Sequence, residues 1–158
     1  MLKENKRFFE ICNIDKLHKL GVTGKGIKIA IFDKKFNTQT EGAKKIYHGK
    51  VIGVNGFDND AISSHGSAVA HIIHQICPDA EIYCMSDTTE NLIWCIENDI
   101  DIINVSMKLF ARSDFEKTSD LAVEKGLWLF TSAGNYGEEK DIGIPAKYKS
   151  WVAVGAVH

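Results

Sequence analysis

The chain has 158 residues, 44% of them hydrophobic and 25% charged, with a formal net charge of −2. That mix fits one soluble globular domain with a real core, and a charge so near zero gives no argument for a nucleic acid or an anionic membrane as partner. No stretch approaches the roughly eighteen apolar residues of a membrane span, and the charged start, Met1 to Arg7, leads into no apolar run of signal-peptide length, so the expected location is cytoplasmic.

In chain order, residues 5–20 read as an amphipathic helix with Phe8, Phe9, Cys12 and Leu17 as its buried stripe. This segment, residues 1–20, is expected to pack on a domain formed by residues 21–158. Gly21 stops the helix. Residues 27–32, Ile-Lys-Ile-Ala-Ile-Phe, form a strand that Asp33 ends. A short strand at 50–54 and a polar loop at 55–64 follow. A helix then runs from Ser64 or His65 to about Ile76, with Val69, Ile72, Ile73 and Ile76 at helical spacing, until Cys77-Pro78-Asp79 breaks it. Residues 81–85 are the next strand. Asp87, Thr88 or Thr89 caps a helix over about 90–98, Glu90 standing at capping-box spacing from Asp87. Residues 101–105 are a nearly uninterrupted apolar strand. Ser113 and Glu116 make a second capping-box pair, opening a helix that runs to about Lys125 and closes at Gly126. Strands at 127–131 and 151–157 complete the order. Trp94 and Trp128 are expected in the core, and Lys34, Lys35 and His48 in solvent.

Four cysteines, Cys12, Cys77, Cys84 and Cys95, lack CxxC spacing and read as buried thiols of a reducing compartment. Cys77, His71 and His74 offer a zinc alternative, but no convincing fourth ligand joins them. No metal and no cofactor is expected.

Strands separated by helices of about ten residues imply an α/β fold in three layers, a mostly parallel β-sheet with helices on both faces. Ligands of such sheets collect at the carboxyl ends of the strands. Asp33, Ser86-Asp87, Ser106-Met107-Lys108 and the run from Ser132 to Asn135 all follow strands, and His65 opens a helix on the same side. A helix start gathers bare backbone N–H groups, so an imidazole there is a candidate general base.

These residues resemble the subtilisin-like serine proteases from Gly21 onward. The segment from Gly24 to Asp33 resembles the family's Gly-x-Gly-strand-Asp, with Asp33 at the catalytic aspartate. His65-Gly66-Ser67-x-Val69-Ala70 resembles the His-Gly-Thr-His-Val-Ala-Gly helix start, with His65 at the catalytic histidine. The segment from Asp101 to Ser106 resembles Asp-Val-Ile-Asn-Met-Ser, which borders the substrate cleft. Ser132-Ala133-Gly134-Asn135-Tyr136-Gly137 resembles Ala-Ala-Gly-Asn-x-Gly, whose asparagine belongs to the oxyanion hole. Ile144-Pro145-Ala146-Lys147-Tyr148 and the segment from Trp151 to Ala156 resemble Tyr-Pro-Ala and Val-Ala-Val-Gly-Ala. The resemblance implies catalytic roles for Asp33, His65 and Asn135, a substrate cleft lined by Ser106, Met107, Ser132, Ala133 and Gly134, and a peptide or protein substrate.

The family's nucleophile lies in a Gly-Thr-Ser-Met-Ala turn beyond the Val-Ala-Val-Gly-Ala strand, and no Gly-Thr-Ser occurs in these 158 residues. Ser64, Ser106 and Ser132 sit in other matched motifs. The resemblance therefore implies a subtilisin-like fold incomplete at its C-terminus. It also implies an endopeptidase that is inactive alone, completed in trans by a serine-bearing second chain or cut from a longer one, and an uncovered apolar face that pairs with that second chain or by self-association. A pseudoprotease holding extended peptides beside 104–107, or a remnant without function, are the alternatives. Other departures are local. Lys34-Lys35 replaces Thr-Gly after the aspartate and could draw its carboxylate away from His65. Ala68 and His71 replace a histidine and a glycine. Lys108 and Leu109 replace glycines that let a peptide lie close, so a crowded cleft wall is expected. The direct passage from Gln75-Ile76 into Cys77-Pro78 leaves out the loop that carries calcium ligands in the family.

Overall fold

β-Branched and apolar runs pair into one sheet: β1 (Lys28–Phe32), β2 (Glu81–Met85), β3 (Ile102–Val105), β4 (Trp128–Ser132) and β5 (Val152–Val154). The computed structural model describes residues 6–34, 36, 65–135 and 142–156. The expected strand at 50–54, the loop at 55–64, and Lys35, His48 and Ser64 lie outside them. The strand order is β2-β1-β3-β4-β5, with every neighbouring pair parallel.

Register puts Cys84, Ile31, Asn104, Phe130 and Val152 in one transverse row and Met85, Phe32, Val105 and Thr131 in the next. Successive rows face opposite sides of a pleated sheet. On one side, α3 (His65–Ile76) packs through Val69, Ala70 and Ile73 onto Ile31, Ile82 and Cys84. On the other, α4 (Thr89–Glu97) and α5 (Ser113–Glu124) bury Leu92, Cys95, Phe115 and Ala122 against Phe32, Ile103, Val105 and Leu129. The result is the three-layer arrangement expected of alternating strands and helices.

One order of strands matters for function. From β1 the chain moves to one side to place β2, then returns to the other side to place β3. β2 and β4 therefore lie on opposite sides of the β1–β3 pair, and the carboxyl ends of such a pair are where open α/β sheets form their ligand crevice.

Four local expectations are corrected. The helix at 5–20 is two short helices, α1 (Lys6–Ile11) and α2 (Ile14–Lys19), broken where Asn13 takes a left-handed φ of 53°. Asparagine tolerates that conformation better than most residues. The break rotates the stripe, so Phe9 and Ile14 are buried while Phe8, Cys12 and Leu17 are exposed. At α4 the cap is Thr88, one of the three residues expected there, and its hydroxyl accepts the Asn91 N–H at 3.1 Å. At α5, Ser113 lies inside the helix. Arg112 stands at the cap position, makes no capping bond, and reaches instead to Asp87, donating to its carbonyl while its guanidinium lies 4.9 Å from the centre of the Phe115 ring.

Trp128 is the fourth correction, being 64% exposed. A helix about 10 Å across covers roughly two strands spaced about 4.8 Å apart. α3 takes β1 and β2, so on its side the surface from β3 to β5 has no helix over it among the described residues. Along the row, Cys84 and Ile31 are fully buried, Asn104 and Phe130 half-buried and Val152 exposed. An apolar pocket of about 180 Å³ opens at the step, lined by Ile29, Ile73, Ile102 and Phe130 among others.

Two measurements check this local reading. Thr88→Ala should lower stability by about 1 kcal/mol, the usual cost of a lost cap, in urea unfolding; no change in midpoint would refute the cap. The thiols should also separate by burial. Cys12 is exposed, whereas burial pushes the Cys95 thiol up to about 12. At pH 8 Cys95 then carries almost no thiolate. Cys12 should react with Ellman's reagent at once, and Cys95 only after denaturation.

Candidate active site

β1 delivers Asp33 to the crevice. Its N–H donates to the Met85 carbonyl of β2 at 3.0 Å, which pins the backbone, and the residue is 4% exposed. A carboxylate so buried needs donors. One carboxylate oxygen, Oδ1, accepts the Lys34 backbone N–H at 2.8 Å; the other, Oδ2, meets His65 Nδ1 at 2.6 Å. Lys34 thus contributes its backbone while its side chain is exposed, and the Asp33 carboxylate is not drawn away from the imidazole.

His65 is the first residue of α3, and its side chain is 55% exposed. A carboxylate can only accept, so the shared proton sits on Nδ1. Nε2 is left with its lone pair and has no hydrogen-bond partner among the described residues. A buried anion behind a half-exposed ring fixes one tautomer.

The remaining expected residues lie along the same edge. Phe32 is level with Val105, and Val105 with Thr131, so Asp33 and Ser106, just past their strands, stand at the height of Ser132, the last residue of β4. Asn104 Nδ2 donates to Ser106 Oγ at 2.9 Å, holding the end of β3. The backbone N–H and C=O groups of Ser106 and Met107 have no backbone partner among the described residues. Beyond β4, the Ala133 N–H donates to the Val154 carbonyl at 2.9 Å, Gly134 takes a φ of 111°, and Asn135 ends exposed. Asn135 follows the strand two places from β1, which sets it about 10 Å across the sheet from Asp33.

Two further contacts had no local signal in the sequence. The Leu109 N–H donates to the Ile144 carbonyl at 2.7 Å in an isolated antiparallel bridge, tying the segment after β3 to the one before β5. Asn91 Nδ2 donates to the carbonyl and hydroxyl oxygens of Ser86, closing the end of β2.

Among the described residues no three His, Cys, Asp or Glu side chains converge to hold a metal ion. The trio of Cys77, His71 and His74 does not form such a group; His71 pairs instead with the Gln75 amide. No helix among them is long and apolar enough to cross a membrane.

Comparison with known proteins bears on this geometry. The model of the subtilase family, Peptidase_S8, matches residues 24–158. The minor extracellular protease Epr of Bacillus subtilis is 30% identical, with 95% of this chain and 27% of that protein aligned. Subtilisin E of the same organism is 30% identical over 90% of this chain and 44% of its own length. The chain therefore spans less than half the length of these two relatives. Among solved structures, the PatG macrocyclase in complex with peptide superposes with a TM-score of 0.67 at 11% identity, covering 92% of this chain and 62% of the other. A cold-adapted subtilisin-like serine proteinase gives 0.63 at 23%, covering 86% and 56%. At these identities the structural matches speak for the fold.

Proposed function

This chain belongs to the subtilase family, and from that premise we propose that it carries the base, the orienting carboxylate and the oxyanion donor of a serine endopeptidase. The nucleophilic serine comes from sequence outside these 158 residues, either continuous with them or on a second polypeptide. The observation that carries the reading is the 2.6 Å contact between His65 Nδ1 and buried Asp33 Oδ2.

The steps follow from the donors and acceptors present. His65 Nε2 takes the proton of the serine hydroxyl as its oxygen attacks the peptide carbonyl carbon. Asp33 holds the ring in the required tautomer and stabilises the imidazolium. The Asn135 amide donates to the oxygen that gains charge, an interaction worth roughly 3–4 kcal/mol in subtilisins. The imidazolium then gives its proton to the leaving amine nitrogen as the C–N bond breaks. Water then attacks the acyl carbonyl carbon as Nε2 takes its proton; the ester C–O bond breaks, the imidazolium returns the proton to the serine oxygen, and the carboxylic product leaves.

The unpaired backbone of Ser106 and Met107 supports an extended peptide as substrate, since a strand edge recognises another strand by main-chain hydrogen bonds. Ser132, Ala133 and Gly134 form the facing wall. Exposed Trp128, Val152 and Val154 favour a covering polypeptide, because contiguous apolar surface marks an interaction face.

A fluorophosphonate probe tests the assignment, since it labels only a serine activated by its base. The chain alone should stay unlabelled; joined or mixed with a subtilase segment bearing Gly-Thr-Ser, it should label at that serine. Absence of labelling in every such combination would sink the enzyme reading. The same unpaired edge supports a second reading, a pseudoprotease that only holds peptides. It expects peptide binding that survives His65→Ala and no labelling in any mixture.

A further inference from the structure

We propose that α1 and α2 form a docking face for an anionic lipid surface, at the end of the fold remote from the candidate active site. The net charge of −2 hides an uneven distribution. Residues 6–28 hold six Lys or Arg against two Asp or Glu, a balance of +4, so the rest of the chain carries −6. Arg7, Lys16, Lys19 and Lys25 are exposed. Lys6 is exposed too, in a loose 3.8 Å pair with Glu10 that counts for little in water.

Apolar side chains stand among these cations. Ile11, Leu20 and Val22 are each more than half exposed, and Phe8 and Leu17 more than two-fifths. Phe8, Ile11 and Cys12, at i, i+3 and i+4, share one side of α1 and its end, while Phe9 is buried against the domain. On α2, Leu17 and Leu20 repeat the spacing, and Ile14 is the buried anchor. Gly21, with a φ of 79°, lets the Val22 N–H reach back to the Leu17 carbonyl at 3.0 Å, which gathers Leu17, Leu20 and Val22 at one corner. Helices held to the domain by one side, with basic and apolar residues mixed on the other, have the make-up of an interfacial anchor. Apolar tips enter the headgroup boundary, and the cations meet the lipid charge.

The placement leaves the site free. His18 Nε2 donates to the Ile76 carbonyl at 2.8 Å, and the Asp79 N–H to the Thr23 carbonyl at 3.0 Å. Both bonds tie the segment to the carboxyl end of α3. His65 opens that helix of 12 residues, so it stands about 17 Å away. A chain docked through α1 and α2 keeps its crevice clear of the lipid.

Sedimentation of the chain with phosphatidylcholine vesicles, with and without phosphatidylserine, is the test. The chain should pellet with the mixed vesicles, stay in solution with phosphatidylcholine alone, and be released as salt rises. Lys16→Glu with Lys19→Glu should weaken binding by about tenfold or more, and so should Ile11→Ser with Leu20→Ser. Leu121→Ser, at an exposed apolar position of α5, should change nothing. All these positions are exposed, and circular dichroism should show the parent's helix content in every variant. No binding, equal binding to both vesicle types, or loss with only one of the double variants overturns the proposal. Binding to polyglutamate as tight as to the mixed vesicles also overturns it, in favour of an acidic protein. The measurement involves no serine nucleophile and no peptide, so it stands apart from fluorophosphonate labelling.

Discussion

Replacing His65 by alanine in the serine-completed protein should lower kcat on the order of a million-fold, the scale known from subtilisins that lose this base. That loss corresponds to roughly 8 kcal/mol of barrier. The structural cost should be far smaller. His65 is half exposed, so water can reach the Asp33 oxygen it leaves, and the other oxygen keeps its Lys34 N–H. A lost hydrogen bond at such a site costs about 1–3 kcal/mol. Activity and folding therefore part company in this variant: circular dichroism should report a folded chain while turnover disappears. Asp33→Asn sharpens the point. An amide presents a donor where the imidazole needs an acceptor, the ring turns to the wrong tautomer, and kcat should fall by about ten thousand-fold, as in other serine proteases. If either variant retained a tenth of the parent's turnover, the pair would be a structural contact and nothing more.

Phe32→Ala should be the most damaging single truncation in the described core. Phe32 is fully buried in the last position of β1, packed with Val105, Met85 and Phe115 in the larger cluster. Deleting a buried phenylalanine side chain costs about 3–5 kcal/mol, from lost transfer energy and the cavity left behind. Domains of this kind have about 5–15 kcal/mol in all. The urea midpoint should drop by a large fraction, and Asp33, the next residue, should lose its fixed position. Trp128→Ala gives the contrast. Tryptophan is the larger side chain, yet here it stands mostly in water against Phe130. Its truncation should move stability by no more than about 0.5 kcal/mol. Comparable midpoints for the two variants would mean that the side of the sheet facing α3 is covered in solution, and that the layer assignment is wrong.

That contrast also marks where reading residues in order stops working. Trp128 has the composition of a core residue and sits on a strand, so no local rule puts it outside. Its exposure depends on which strands α3 covers, a matter of helix width against strand spacing across the sheet. The N-terminal stripe failed for a related reason: one left-handed residue, Asn13, turns the second helix relative to the first. Arg112 took a place expected of Ser113 because its guanidinium finds Asp87 and Phe115, residues that local capping rules do not weigh.

The sequence alone determined where the five described strands fall, the helix from His65 to Ile76, and the set of polar residues that gather at one edge of the sheet. Periodicity and helix breakers act over a few neighbouring residues, so they are written in order along the chain. Only the tertiary structure decided that Asp33 meets His65 across 32 residues of sequence, that Leu109 is bridged to Ile144, and that Lys108 lies on Gly143. Those contacts depend on strand order, register and loop closure together. Such quantities belong to the assembled sheet, and no short stretch of residues contains them.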